Sequence, residues 1–184
     1  MNWVYSGKCW KFGDNIAVDG DLMKLEFALT RETRPEVLRR HVMGGVDPSF
    51  AGQVLPGDVL VAGKRFAQGN PHIQGLIGIT GLGMGLVVES IPRGSFRNAI
   101  NAGLPLLPHC PDVTVLCETG DRIEVDFRIG SFRNATRGEL HSFEPLDSSL
   151  LRIIEIGGWR ANVTSRLASL VPQELTISSK NSTV

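Results

Sequence analysis

Two short, unbroken apolar runs, Val59-Leu60-Val61-Ala62 and Leu86-Val87-Val88, constrain this chain more than any other feature of it. A strand with one face in water alternates apolar and polar residues, so a run that is apolar at every position predicts a strand covered on both faces. Between the runs, Pro71 to Gly81 carries Ile73, Leu76, Ile77 and Thr80 at helical spacing. Strand, helix and strand in that order form a βαβ unit with a right-handed connection and parallel strands. The fold class is therefore α/β.

Around that unit the punctuation places the other elements. Trp3 to Phe12 alternates well enough for a strand and is closed by Gly13-Asp14-Asn15. Asp19 to Arg34 mixes charges with Leu22, Met23, Leu25 and Phe27 in no period, which predicts a long mobile segment. Pro35 opens a helix through Val37, Leu38 and Val42 that Gly44-Gly45 stops, and Asp47-Pro48 starts a short helical turn. Pro92 to Asn101 reads as a helix ended by Gly103, and Leu104 to Leu107 as a short strand. Asp112 to Cys117, Arg122 to Phe127 and Leu140 to Phe143 read as antiparallel strands, making the C-terminal part β-rich. Leu146 to Ile156 is an amphipathic helix closed by Gly157-Gly158. The division is one domain over 1–160 and a polar C-terminal tail over 161–184.

Composition removes several classes of function. Lys and Arg total 19, as do Asp and Glu, so the formal charge is +0 and the basic footprint of a nucleic-acid binder is missing. The longest mainly apolar stretch, Gly75 to Val88, is broken by glycines and too short to cross a bilayer, so no membrane association is expected. Met1 to Trp10 has neither the basic start nor the apolar run of a secretory leader, and the expected location is the cytoplasm. Cys9, Cys110 and Cys117 form no Cys-x-x-Cys pair and have no histidine at ligand spacing, so no metal ligand is assigned in this chain.

The chemistry-bearing residues cluster where the loops after parallel strands should lie, the usual place for ligands in α/β sheets. The loop Gly69 to Gly75 joins a buried strand to a helix N-terminus, whose free amides attract a carboxylate. Asn70 as helix cap with Pro71 at the first helical position is compatible with that use. His72 is the one residue of the loop able to change charge near neutral pH. Arg93 and Arg97 sit one helical turn apart, placed either to grip a carboxylate or to tie the helix down by a salt bridge. Asp14 and Asp19 are an acid pair or turn residues. Gly81-Leu82-Gly83-Met84-Gly85 follows a helix and precedes a strand, the reverse of a nucleotide-binding order, and Gly63-Lys64 lacks P-loop spacing.

Several phrases, taken in order, resemble one family. Gly7 with Lys11-Phe12-Gly13-Asp14-Asn15-Ile16 and Asp19 is similar to an opening G-x-x-W-x-x-G-D-N-I-x-T-D. Asp47-Pro48-Ser49-Phe50-Ala51, Pro56-Gly57-Asp58 and Val61-Ala62-Gly63-Lys64 follow, resembling D-P-x-F-A, P-G-D and V-A-G-x-N-F-G. Ser90 to Pro105 is similar to S-F-A-R-I-F-x-R-N-A-I-N-N-G-L-P, and Gly120-Asp121 with Phe143-Glu144-Pro145-Leu146 completes the set. Together they resemble the small subunit of 3-isopropylmalate dehydratase, the swivelling domain of the aconitase superfamily, over roughly residues 7 to 160.

The resemblance implies a swivelling β/β/α domain with a short parallel βαβ core and an antiparallel β-rich C-terminal part. It implies a hydro-lyase, a dehydratase or isomerase, acting on a small hydroxy-carboxylic acid together with an aconitase-like large subunit. The [4Fe-4S] cluster is expected on that partner, and this chain is expected to bind no cofactor. The chain departs from the family where G-S-S-R-E-H-A becomes Gly69-Asn70-Pro71-His72-Ile73-Gln74-Gly75. Asn70 stands at the catalytic Ser position, and an amide cannot act as an alkoxide base. His72 stands at the Arg position, losing the bidentate fork and gaining a titratable ring. Leu22 to Phe27 replaces the family's I-I-P-x-R. The catalytic candidates are His72 and Asn70; the substrate-binding candidates are Gly69, Pro71, Arg93, Arg97 and Asp19. The alternative is a non-catalytic binding or regulatory swivel module that has lost the Ser/Arg chemistry.

Overall fold

Strand β1 (Val4–Lys11) has a parallel neighbour on one side and an antiparallel neighbour on the other, and the fold divides at that strand. The computed structural model describes residues 1–159, 161, 163 and 167. Within them the strands lie in the order β4-β3-β2-β1-β5-β6-β7. The parallel half is β2 (Val59–Ala62), β3 (Gly85–Val88) and β4 (Leu106–Leu107), with Cys9 opposite Val59, Leu60 opposite Leu86, and Leu86 opposite Leu106. The antiparallel half is β5 (Arg122–Asp126), β6 (Ser131–Asn134) and β7 (Glu139–Ser142).

Burial follows the two sheet types. Val59 to Ala62 and Leu86 to Val88 are all fully buried, as an apolar run covered on both faces requires. In β5 only Ile123 and Val125 are buried, and the residues beside them are exposed or half-buried, the pattern of a strand with one wet face. The helices are α1 (Leu25–Leu29), α2 (Pro35–Leu38), α3 (Phe50–Gln53), α4 (Gln74–Gly81), α5 (Arg93–Asn101) and α6 (Ser148–Glu155). Helix α5 buries Ser95, Ala99 and Ile100, a stripe at helical spacing. Asp147 caps α6 by accepting from the Ser149 amide at 2.8 Å.

One polar knot holds β1 to the approach to β2. The Asp58 carboxylate, 4% exposed, accepts from the Lys8 amide at 2.8 Å, the Trp10 indole at 3.0 Å and the Leu55 amide at 3.0 Å. A buried carboxylate with three donors on its oxygens is compensated, and it ties two neighbouring strands in register.

Four expectations change. Asp112 to Cys117 is not a strand: Val113–Val115 forms a 3-10 turn that buries Val113 and leaves Val115 exposed. A strand the sequence reading passed over, β6, fills its place between β5 and β7. Helix α4 starts at Gln74, with Ile73 at the cap position and no capping side chain, so Asn70 is not a helix cap and Pro71 is not the first helical residue. The segment from Asp19 to Arg34 buries Leu22 and Met23, at 0% and 2% exposure, and forms α1. The tail assigned to 161–184 falls outside the described residues except for 161, 163 and 167, whose backbone is helical.

Candidate active site

The loops that follow β1, β2 and β3 emerge at the carboxyl end of the parallel half, where an open α/β sheet binds its ligands. The first two loops run side by side. The Val18 amide donates to the Gln68 carbonyl at 2.8 Å, the Gln68 amide to the Ile16 carbonyl at 3.0 Å, and the Asn15 amide to the Lys64 carbonyl at 2.8 Å. The β1 loop is itself cross-braced: the Asp21 carboxylate takes the Ala17 amide at 2.9 Å, and the Gly20 amide donates to the Met23 carbonyl at 2.8 Å.

Small residues bring this loop down onto α4. A Cβ on Gly75 would lie 2.5 Å from the Leu22 Cγ, and one on Gly78 would lie 2.5 Å from a Val42 methyl. Leu22 and Met23 are buried against a helix face that has no side chains to keep them away. Asp19 is thereby held beside the β2 loop.

Five of the sequence candidates meet there. His72 Nδ1 lies 2.8 Å and 3.1 Å from the two Asp19 carboxylate oxygens, and both side chains are about one third exposed, at 29% each. His72 Nε2 lies 3.2 Å from the Asn70 amide nitrogen. Pro71 sits between them, its carbonyl taken by the Asn98 amide of α5 and its ring against Gly94. Gly69 has φ +100°, a conformation that side-chain-bearing residues rarely adopt, and open space beside it. Asp14 does not pair with Asp19: it accepts the Lys64 amide at 2.7 Å as a turn residue.

Arg93 begins α5 at the same end of the sheet, Arg97 follows one turn later, and both are exposed. Neither forms an ion pair among the described residues, so the tie-down reading finds no support there. Arg97 borders a groove of about 440 Å³ between α5 and α6, lined by Phe96, Ile100, Leu150, Ile153 and Trp159. Gly94 and Asn98, rather than the arginines, face the loop.

Sequence reasoning missed four residues that shape the site. Ser90 accepts the Arg65 amide at 2.9 Å, Arg65 Nε donates to the Asn15 side chain at 2.7 Å, and Asn98 holds Pro71. Arg65 and Ala67 have φ of +56° and +59°, so the β2 loop bends through left-handed positions that no residue type signals. Asn98 was legible only as a letter of the Ser90 to Pro105 phrase.

The thiols are unsuited to this site. All three are free and fully buried. Burial pushes the Cys110 thiol up to about 12, and a hydrogen bond with the Cys117 thiol together with burial raises that of Cys9. Thiolate is the ligating form, so Cys9 and Cys110 do not fit a cluster; the Cys117 thiol is lowered by its hydrogen bond with Cys9 but is equally buried. Among the described residues no three His, Cys, Asp or Glu side chains converge as a metal site, and no helix is long and apolar enough to cross a membrane.

No protein-family model matches the chain. Individual proteins do. The chain is 36% identical over 169 residues to the isopropylmalate/citramalate isomerase small subunit of Methanocaldococcus jannaschii, covering 91% of this chain and 98% of that one. It is 42% identical over 159 residues to a 3-isopropylmalate dehydratase small subunit of Methanopyrus kandleri, covering 86% and 91%. The crystal structure of 3-isopropylmalate dehydratase from Methanocaldococcus jannaschii superposes with a TM-score of 0.77 at 27% identity, covering 90% of this chain and 96% of that one. With the mixed sheet shared and nearly the whole length matched, the chain belongs to the 3-isopropylmalate dehydratase small-subunit family of the aconitase superfamily.

Proposed function

We propose that this chain works as the small subunit of a two-subunit hydro-lyase that removes and re-adds water on a small hydroxy-carboxylic acid, with His72 as the proton-transfer group. The observation that carries this is the His72–Asp19 pair, 2.8 Å apart at the carboxyl end of the parallel strands. Asn70 stands where the resemblance puts the family's Ser, and an amide cannot take the proton next to the substrate carboxylate, so the role falls to the titratable neighbour. A carboxylate has no donor, so the hydrogen lies on His72 Nδ1 and Nε2 is turned toward the exposed Asn70 side chain. Asp19 thus acts as a positioning residue. Exposed Arg93 and Arg97, at the same end of the sheet, supply positive charge that draws a substrate carboxylate toward the loop without touching it, and Gly69 keeps the space beside the loop clear.

The partner is an aconitase-like large subunit bearing a [4Fe-4S] cluster, which when present supplies a Lewis acid toward the substrate hydroxyl. Residues 1–160 form the swivel unit and 161–184 its tail. Three free thiols support a cytoplasmic, reducing setting. An imidazole oriented by a carboxylate beside open space supports the catalytic reading over a module without chemistry.

Coexpression with an aconitase-like large subunit tests this. A stable complex should form and convert isopropylmalate or citramalate, the compounds named for a relative, while neither chain does so alone. Iron should be found in the complex and only in traces in this chain. Failure of the two chains to associate, or turnover by the large subunit that this chain does not change, would contradict the proposal.

A further inference from the structure

The amide of Asn70 is the second contact of the His72 ring. Its nitrogen lies 3.2 Å from Nε2, while Nδ1 is held by both oxygens of Asp19 at 2.8 and 3.1 Å. With the Asn70 amide nitrogen turned toward the ring, as it lies here, the donors and acceptors give one assignment. Asp19 only accepts, so Nδ1 carries the hydrogen; the Asn70 amide nitrogen only donates, so Nε2 presents its lone pair. Resting on the proposed role of His72, we infer that Asn70 is a positioning residue that fixes the imidazole in the Nδ1–H tautomer and caps its reactive nitrogen until substrate displaces the amide.

The surroundings allow this. Asn70 is exposed and can swing away without disturbing the core. Pro71 and the backbone bond from the His72 amide to the Asn70 carbonyl, 2.7 Å, fix the spacing of the two side chains. The charged groups on the elements around the ring are Asp14, Asp19 and Asp21 on the β1 loop, Lys64 and Arg65 on the β2 loop, the Glu32–Arg34 pair on the segment whose Glu32 carbonyl accepts the Gln74 side-chain amide, and Arg93 and Arg97 on α5. Of these only Asp19 touches the imidazole, so the state of Nε2 is left to Asn70. The assignment gives the Ser-to-Asn departure a purpose: the residue that cannot be the base holds the base ready.

Nitrogen-15 NMR of the full chain tests it without turnover. Long-range proton–nitrogen correlations report which ring nitrogen bears hydrogen, and the His72 signals among the four histidines are identified by their loss in His72→Gln. Unrestrained neutral imidazole favours the Nε2–H form. His72 should instead show a hydrogen on Nδ1 and a bare Nε2, whose resonance shifts in Asn70→Ala because the donor is gone. Asn70→Asp, which offers only acceptors, should move the hydrogen pattern onto both nitrogens at the same pH. In the assembled enzyme Asn70→Ala should lower KM with kcat little changed, because substrate no longer has to displace the amide while Asp19 still holds Nδ1. An Nε2–H form in the unmodified chain, or an Nε2 resonance that Asn70→Ala leaves in place, would overturn the inference. Loss of the base role itself would show separately, as unchanged turnover in His72→Ala with the tautomer as stated.

Discussion

Gly94 and Pro71 are in contact so close that a Cβ on Gly94 would lie 2.8 Å from the Pro71 Cβ and 3.0 Å from its Cγ. The second anchor, Asn98, holds the Pro71 carbonyl one turn further along α5. The loop carrying Asn70 and His72 is therefore seated on a helix that springs from the end of a fully buried strand. A rigid scaffold places the reactive group, and the loop does not have to find its own position.

Gly94→Ala should act on function more than on stability. The methyl pushes the Pro71 ring outward by a few tenths of an ångström or more and carries His72 with it. Small misplacements of a reacting group cost up to about 100-fold in rate, so kcat of the assembled enzyme should fall at least about fivefold. The melting temperature should drop by about 2 to 4 °C, near 1 kcal/mol for a chain of this size. Melting curves and turnover on the same preparation check both, and full activity with a large loss of stability would contradict the account.

Asp58→Ala should destabilise strongly. It strands the Lys8 and Leu55 amides and the Trp10 indole, which now donate to one carboxylate. Unpaired buried donors cost roughly 1 to 3 kcal/mol each when no water reaches them, so the expected loss in urea unfolding is about 3 kcal/mol. A loss under about 1 kcal/mol would show that water or a backbone shift satisfies the donors.

The parallel half was legible because its strands are apolar at every position, and because family phrases fall at their ends. The antiparallel half was less so. Strand β6 has a single large apolar residue, Phe132, between Ser131 and Arg133, which is too little alternation to stand out. Val113, Val115 and Leu116 carry strand-forming side chains, yet they turn in a 3-10 geometry after Asp112, whose φ is +59°. Leu22 and Met23 show no period because glycines of α4 bury them, and that partner is distant in sequence. In the site, His72, Asn70, Gly69, Pro71 and Asp19 were named from the chain alone. The Asp19–His72 contact was not, since 53 residues separate them and only the paired loops bring them together.

The acid side of the stability curve should depend on Asp121. Its carboxyl is held below the usual carboxylate range by the Glu118 amide, then by the Asn134 amide and by Arg137. A carboxyl lowered in the folded chain stabilises it above the unfolded value, about 3.9, and that contribution is lost as pH falls below this value and through the folded one. Asp121→Asn should therefore be less stable than the unmodified chain at pH 6, with the gap closing toward pH 3. Unfolding midpoints at the two values decide it; a gap that stays constant would contradict the assignment.

The central claim is that His72 moves the proton. The direct measurement is kcat of the complex with an aconitase-like large subunit, for the unmodified chain and for His72→Ala, at equal occupancy of the partner and equal iron content. A positioned base contributes about 10² to 10⁴-fold, so His72→Ala should lower kcat at least about 100-fold, with association unchanged. If His72→Ala keeps kcat within about threefold, less than the roughly 1.4 kcal/mol of a tenfold step, the loop is only a wall of the pocket and the proton-transfer group lies on the partner.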